Sequence, residues 1–247
     1  YWAINWPHYP LQATNKWRDF YEELPHPRNK YAAFMSTTDE LVGHVLDHLK
    51  KRGLRENTIF IFQSDHGHSV EERTFGGGGS AGPYRGHKGN LFEGGIKVPS
   101  VVSWPKGIPQ GEIRDQFVTG TDWWPTLAEL TGSEIPDGHH LDGKSMVKVI
   151  NSKEAQSPHD EYYWQLGNKN GQWVVREGDW KLYARARENI RPEGIPELNK
   201  DDKKFFLVNL AKDPGERRNW ASENPSQLMR LENLARKFQI DLASSTK

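Results

Sequence analysis

The chain has 247 residues with 33 basic and 33 acidic side chains, so no global field draws it to nucleic acid or to an anionic membrane. It contains no cysteine, which excludes a disulfide framework, a thiolate zinc site and a cysteine nucleophile within these residues. No apolar run approaches the roughly 20 residues of a membrane helix, yet a hydrophobic fraction of 35% supports a core for one large domain or two modest ones.

Residues 1–6 (YWAINW) read as a strand that ends in Pro7-His8-Tyr9-Pro10. With Tyr1 in place of an initiating methionine, the expectation is the C-terminal portion of a longer polypeptide. A polar, proline-punctuated loop is expected to about Arg28. From 29 to 52, Tyr31, Phe34, Met35, Leu41, Val42, Val45, Leu46 and Leu49 recur at helical spacing, and Gly53 supplies a C-terminal stop. The strand Ile59–Phe62 follows, so a parallel β-α-β crossover is expected. Val98–Trp104 reads as a further strand, and Thr121 or Asp122 caps a helix running to Thr131 before Gly132. The loop-rich stretch 133–160 is the expected boundary, dividing the chain into 1–155 and 156–247. Beyond it, segments around 162–164, 172–176, 179–183 and 205–210 alternate, with turns at Asn170-Gly171 and Gly178, as in an antiparallel meander. The charged stretch 185–204 reads as a surface loop. An amphipathic helix from about Pro225 to Leu242 carries Leu228, Leu231, Leu234, Ala235 and Phe238 on one face.

The chemistry concentrates between Ser64 and Pro99. Asp65 and His66 stand at a strand end, where they serve either as ligands of a hard cation or as a turn cap beside a surface imidazole. Lys88, between glycine-rich segments, presents a compact ammonium suited to a phosphate or sulfate oxygen, or is simply solvated. Arg85 is either a second anion clamp or an ion-pair partner of Glu93. His68 and His87 flank both candidate sites within reach of a substrate, and His8 is a candidate acid or anion donor. The Gly76–Gly79 run lacks the lysine of a phosphate-binding loop and reads as a flexible rim. Ten tryptophans and eight tyrosines point to packing, with some rings available to stack on sugars.

In their order, these pieces resemble the type I, formylglycine-dependent sulfatases of the alkaline phosphatase superfamily. Pro7-His8-Tyr9-Pro10 resembles the PHxP loop, and Ser64-Asp65-His66-Gly67 the SD[NH]G motif. Gly86-His87-Lys88 through Glu93-Gly94-Gly95-Ile96-Lys97-Val98-Pro99 resembles GxKxxxxEGGxRVP. Thr121–Leu127, Leu141-Asp142-Gly143, Val175–Leu182 and Leu210–Glu216 resemble later family segments, so the likeness covers nearly the whole chain. It implies an α/β fold: an alkaline phosphatase-like mixed sheet sandwiched by helices, with a small antiparallel sheet and helix at the C-terminus. It further implies one Ca²⁺ held by Asp65 and His66, Lys88 gripping the sulfate, and His8 as proton donor to the leaving alcohol.

The family nucleophile arises from a [CS]-x-P-x-R motif, and the nearest string here, Ser103-Trp104-Pro105-Lys106-Gly107, ends in glycine and lies in a strand. The formylglycine and the remaining calcium ligands are therefore expected from an N-terminal portion of the same protein, and this chain alone is expected to be inactive. The expected substrate is a sulfated carbohydrate and the expected location periplasmic or extracellular. The alternatives are a phosphate or phosphonate monoesterase of the same superfamily and a non-catalytic module that binds sulfated glycans.

Overall fold

A computed structural model describes residues 2–6, 8–168, 170–188 and 194–245. Residues 2–6 are coil instead of the expected strand: the Ile4 amide donates to Trp2 and the His8 amide to Asn5, so local bonds take groups a strand would offer a neighbour. Tyr1 and Pro7 lie outside the described residues. The expected loop before Arg28 contains a short helix, α1 (Asn15–Phe20), held to the following helix by Lys16 and Trp17, which both donate to Glu40.

Helix α2 spans Arg28–Lys51. It ends as its sequence predicts, with Gly53 at φ 69°, the Gly53 amide on the Lys50 carbonyl and the Leu54 amide on that of Leu49. Strand β1 (Phe60–Gln63) pairs with β2 (Ser100–Ser103) in antiparallel register, Phe60 opposite Ser103 and Gln63 opposite Ser100. The expected parallel crossover has no counterpart among the described residues, because the segment read as its first strand is coil. Between the two strands lies the single-turn helix α3 (Glu93–Ile96). Helix α4 (Trp123–Thr131) stops at Gly132, and a short α5 (Val147–Asn151) interrupts the loop-rich stretch. Buried Asp122 ties this region together, accepting from the Thr119 and Lys144 amides and meeting His159 Nε2 at 2.7 Å.

The C-terminal meander is β3 (Glu161–Leu166), β4 (Gln172–Glu177), β5 (Trp180–Ala184) and β6 (Phe205–Asn209), antiparallel in that order. Alternation of side chains gives the sheet two faces. One carries Val175, Leu182 and Leu207, which pack against Leu231 and Ala235 of α6 (Pro225–Ser245). The other carries Val174, Tyr183, Phe206 and Val208, which pack against Leu91 and Phe92 just before α3. This second face couples the meander to the segment holding the candidate site. The stretch expected as a surface loop contributes to it through buried Ala186 and Leu198; residues 189–193 lie outside the described residues. The aromatic load goes largely into packing: Phe92 stacks on Tyr183 at 4.6 Å, and Tyr163 on Phe238 at 5.6 Å.

Candidate functional site

Strand β1 delivers Ser64-Asp65-His66-Gly67 to its C-terminal end, and backbone bonds then fix the loop. The Ser64 amide donates to the Pro99 carbonyl and the Gly67 amide to that of Gly95, at 3.1 and 2.9 Å. The Lys88 amide donates to the His68 carbonyl at 2.9 Å. Two segments separated by nineteen residues, Asp65–His68 and Lys88–Gly95, are therefore joined side by side. Glycine is required at the seam, because a β-carbon on Gly67 would lie 1.9 Å from the Gly94 carbonyl oxygen.

At this seam Asp65 is exposed, and its Oδ2 lies 3.2 Å from His66 Nε2. A carbonyl can only accept, so His66 Nδ1, 2.8 Å from the Gly67 oxygen, carries the proton in the neutral ring. The unprotonated Nε2 then lies 3.2 Å from the Asp65 carboxylate oxygen. That donor set fits a cation, since ligands at about 2.3–2.6 Å from one hard cation stand roughly 2.7–3.7 Å apart in neighbouring positions of a six- to eight-ligand shell. Among the described residues no third histidine or carboxylate joins them to complete a metal-binding group.

Lys88 is half-buried and its Nζ lies 3.6 Å from Glu71 Oε2. Glu71 was not singled out by the sequence; it stands before a 3₁₀ turn, Glu72–Thr74, in a stretch with no recognisable motif. His68 and His87 approach with ring centres 6.4 Å apart. Burial, and secondarily His87, holds the His68 pKa below the ordinary histidine value. His87 Nδ1 donates to the Lys88 carbonyl at 2.7 Å, which leaves its Nε2 buried without a partner. His8 is exposed, with Nδ1 3.0 Å from the Tyr9 carbonyl. Its neighbour Tyr9 receives the Arg73 guanidinium at 4.9 Å over its ring, which brings the His8 loop to the 3₁₀ turn beside Glu71.

Arg85 turns inward. Its Nε and Nη2 pair with both oxygens of Glu188 at 2.7 and 2.6 Å, and Nη1 and Nη2 reach the carbonyls of Glu216 and Pro196. The expected partner Glu93 instead meets Lys181 Nζ at 2.6 Å, so the ion-pair reading of Arg85 stands with a different carboxylate. Every nitrogen of its guanidinium is engaged by these partners, and the side chain is buried. Of the glycine run 76–79, Gly76 is exposed and open while Gly77, Gly78 and Gly79 are packed: a β-carbon on Gly78 would meet Tyr31 Cβ at 2.4 Å. Ser103 ends β2 and its hydroxyl accepts from Arg55, in keeping with its rejection as a nucleophile.

Comparison with known proteins matches residues 1–133 to the sulfatase family and residues 86–241 to the N-sulphoglucosamine sulphohydrolase C-terminal family. The mouse (Mus musculus) steryl-sulfatase is 31% identical over 212 residues, covering 77% of this chain and 34% of that protein. A sulfatase of Formosa agariphila is 33% identical over 215 residues, covering 82% of this chain and 37% of its own length. The solved structure of Ps i-CgsB in complex with k-i-k-neocarrahexaose superposes with a TM-score of 0.76 at 26% identity, covering 94% of this chain and 48% of that one. The fold is thus the α/β, alkaline phosphatase-like fold of the sulfatases, closed by the antiparallel sheet and its helix. This chain spans about a third of the length of the curated relatives it matches. With the family's motifs assembled at one seam and both family models matched, the chain belongs to the sulfatase family.

Proposed function

We propose that this chain supplies the metal-holding and anion-gripping part of a site that hydrolyses a sulfate ester of a carbohydrate. The observation that carries the reading is the seam itself: the backbone bonds from Gly67 to Gly95 and from Lys88 to His68 join the loop that carries a carboxylate–imidazole pair to the loop that carries an ammonium, in a chain of the sulfatase family. Asp65 and His66 would hold Ca²⁺, which when bound polarises a sulfuryl oxygen. Lys88 Nζ attracts the sulfate and stabilises charge building on its oxygens. Glu71, 3.6 Å away, holds that ammonium until the three-oxygen sulfuryl group takes its place beside it. His8, its Nδ1 anchored on the Tyr9 carbonyl, presents Nε2 to the leaving oxygen and as imidazolium donates a proton there. The attacking group, formylglycine in the family resembled, comes from outside these residues.

The carbohydrate assignment is supported by the complex of Ps i-CgsB with k-i-k-neocarrahexaose. A periplasmic or extracellular location follows the same kinship. In the complete polypeptide, Lys88→Ala lowers kcat on a sulfate ester about 10²–10³-fold, the scale of one preorganised charge-stabilising donor, with the melting temperature unchanged. Full activity in Lys88→Ala, or sulfate-ester hydrolysis by the isolated 247-residue chain, overturns the reading.

A further inference from the structure

Between the C-terminal sheet and the Lys88 segment, Lys181, Tyr183, Glu93 and Glu216 form a buried polar cluster. The Lys181 ammonium directs its three protons to Glu93 at 2.6 Å, to the Leu91 carbonyl at 3.1 Å and to Glu216 Oε1 at 3.4 Å. Two carboxylates therefore share one ammonium. The Tyr183 hydroxyl has one proton and two acceptors within reach: Glu216 Oε1 and, at 3.2 Å, the Leu91 carbonyl. It cannot serve both fully at once.

Which acceptor receives the proton depends on Glu216. As a carboxylate, Glu216 draws it, because a hydrogen bond to an ion is roughly twice as strong as one to a neutral carbonyl. A protonated Glu216 needs an acceptor of its own. Its Oε2 already takes the Glu93 amide at 2.7 Å, so the new proton goes to the Tyr183 oxygen and the Tyr183 proton turns to Leu91. Burial pushes the Glu216 pKa up to about 7 and holds that of Tyr183 well above its ordinary value. Glu216 thus exchanges its proton near neutrality while Tyr183 keeps its own. Besides Lys181, the charges facing Glu216 are Glu93 from α3, Arg176 from β4 and, on its main-chain carbonyl, Arg85, itself paired with Glu188.

We infer that Tyr183 is a positioning residue for Lys88: through the Leu91 carbonyl it ties the Lys88 segment to the sheet while Glu216 is protonated, and it lets go when Glu216 ionises. Leu91 lies three residues after Lys88 and two before Glu93, which opens α3. The Lys88 amide closes the seam on the His68 carbonyl, so a looser hold at Leu91 is felt there. The consequence for catalysis rests on the sulfate-gripping role proposed for Lys88; the positioning does not. On that role the grip is firmest on the acid side of neutrality and slackens as pH rises.

Hydrogen exchange in the complete polypeptide tests this, with rates corrected for the pH dependence of free amides. Losing one hydrogen bond at Leu91 lowers the protection of the Lys88 amide about three- to tenfold between about pH 5.5 and 8, on either side of the Glu216 value. Glu216→Gln keeps the protection high at both pH values. Tyr183→Phe, which preserves the ring stacked on Phe92, keeps it low at both. Amides of β3, at the far edge of the sheet, report global stability and do not follow this pattern. No pH change in the native chain, the same change in Glu216→Gln, or a parallel change in β3 overturns the inference. Inorganic sulfate, titrated by calorimetry, tests the link to the grip. The native chain binds it more weakly than Glu216→Gln at about pH 8, by the same three- to tenfold, and equally at about pH 5.5. Sulfate affinity unmoved by Lys88→Ala, with the exchange pattern intact, removes the sulfate grip and leaves the positioning standing.

Discussion

Gly67 shows how little tolerance the seam has. Its β-carbon position is 1.9 Å from the Gly94 carbonyl oxygen, and that oxygen belongs to backbone that cannot swing aside like a flexible side chain. Gly67→Ala must therefore separate the Asp65–His68 loop from α3, at a cost of about 3 kcal/mol, the upper range for overpacking. Urea unfolding measures it, and a loss below about 1 kcal/mol would mean that the loop shifts freely. At this scale the sequence was informative about motifs and silent about direction. The motifs around Asp65 and Lys88 were legible by their residue types, and the fold joins their two segments through backbone bonds. The orientation of Arg85 was not legible: its partner Glu188 lies 103 residues away, and no spacing rule spans that distance. Glu71 was missed for a related reason, since a lone carboxylate acquires meaning only when the fold sets it 3.6 Å from an ammonium.

Among elements, the decisive contact is the one between α3 and the face of the meander opposite α6. Lys181 on β5 reaches Glu93 at 2.6 Å, and Glu216 receives the Tyr183 hydroxyl and, on its other oxygen, the Glu93 amide at 2.7 Å. Burial pushes the Glu216 pKa from its ordinary 4.5 up to about 7, with Lys181 opposing and Glu93 adding to the rise. For Glu93, burial also pushes upward, but the Lys181 ammonium and its hydrogen bond outweigh it and hold the pKa below the ordinary value. The two groups act in different windows. Glu216 binds its proton more tightly in the folded chain, so its contribution to stability is complete below about pH 4.5 and is lost as pH rises through about 7. Glu93 loses its contribution only below its ordinary range. Replacing Glu216 by glutamine removes the upper window, keeps an acceptor for the Glu93 amide, and leaves the Tyr183 hydroxyl free to donate to the Leu91 carbonyl at 3.2 Å. The stability of the native chain relative to Glu216→Gln therefore falls between pH 5 and 7, by at most about 1.4 kcal/mol per pH unit for one proton. Chemical denaturation at several pH values measures this; parallel curves would assign Glu216 no proton uptake on folding. The meander was readable from alternation and from Gly171 and Gly178 at its turns, because β3, β4 and β5 follow one another through short connections. What covers the second face was not readable, since Leu91 and Phe92 sit outside any period that points to a sheet some 80 residues on.

For the molecule as a whole, the sequence pattern and the structure differ in how much surface α2 covers. The apolar positions of α2 run from Tyr31 to Leu49, yet only Ala33, Phe34, Thr37 and Thr38 are fully buried. Helix periodicity states which face wants covering and is silent on whether a cover is present. The candidate cation site has the same character. Asp65 and His66 supply two donors 3.2 Å apart, and among the described residues no third carboxylate or histidine joins them. Ca²⁺ seeks about six to eight oxygen ligands, and affinity grows with the number of charged ones. Two donors at an exposed edge leave most of the shell to water, so binding by this chain alone is weak. A ligand that binds only the folded state stabilises it by RT ln(1 + [L]/Kd), roughly 2.7 kcal/mol at a hundred times Kd and almost nothing when Kd exceeds the concentration. Millimolar Ca²⁺ is accordingly expected to leave the melting temperature of the 247-residue chain unchanged and to raise that of the complete polypeptide by several degrees. Asp65→Ala should abolish the second effect and leave the first unaltered. A calcium-dependent rise in the isolated chain would mean that these residues hold a whole shell, and an unresponsive complete polypeptide would remove calcium from the Asp65–His66 pair.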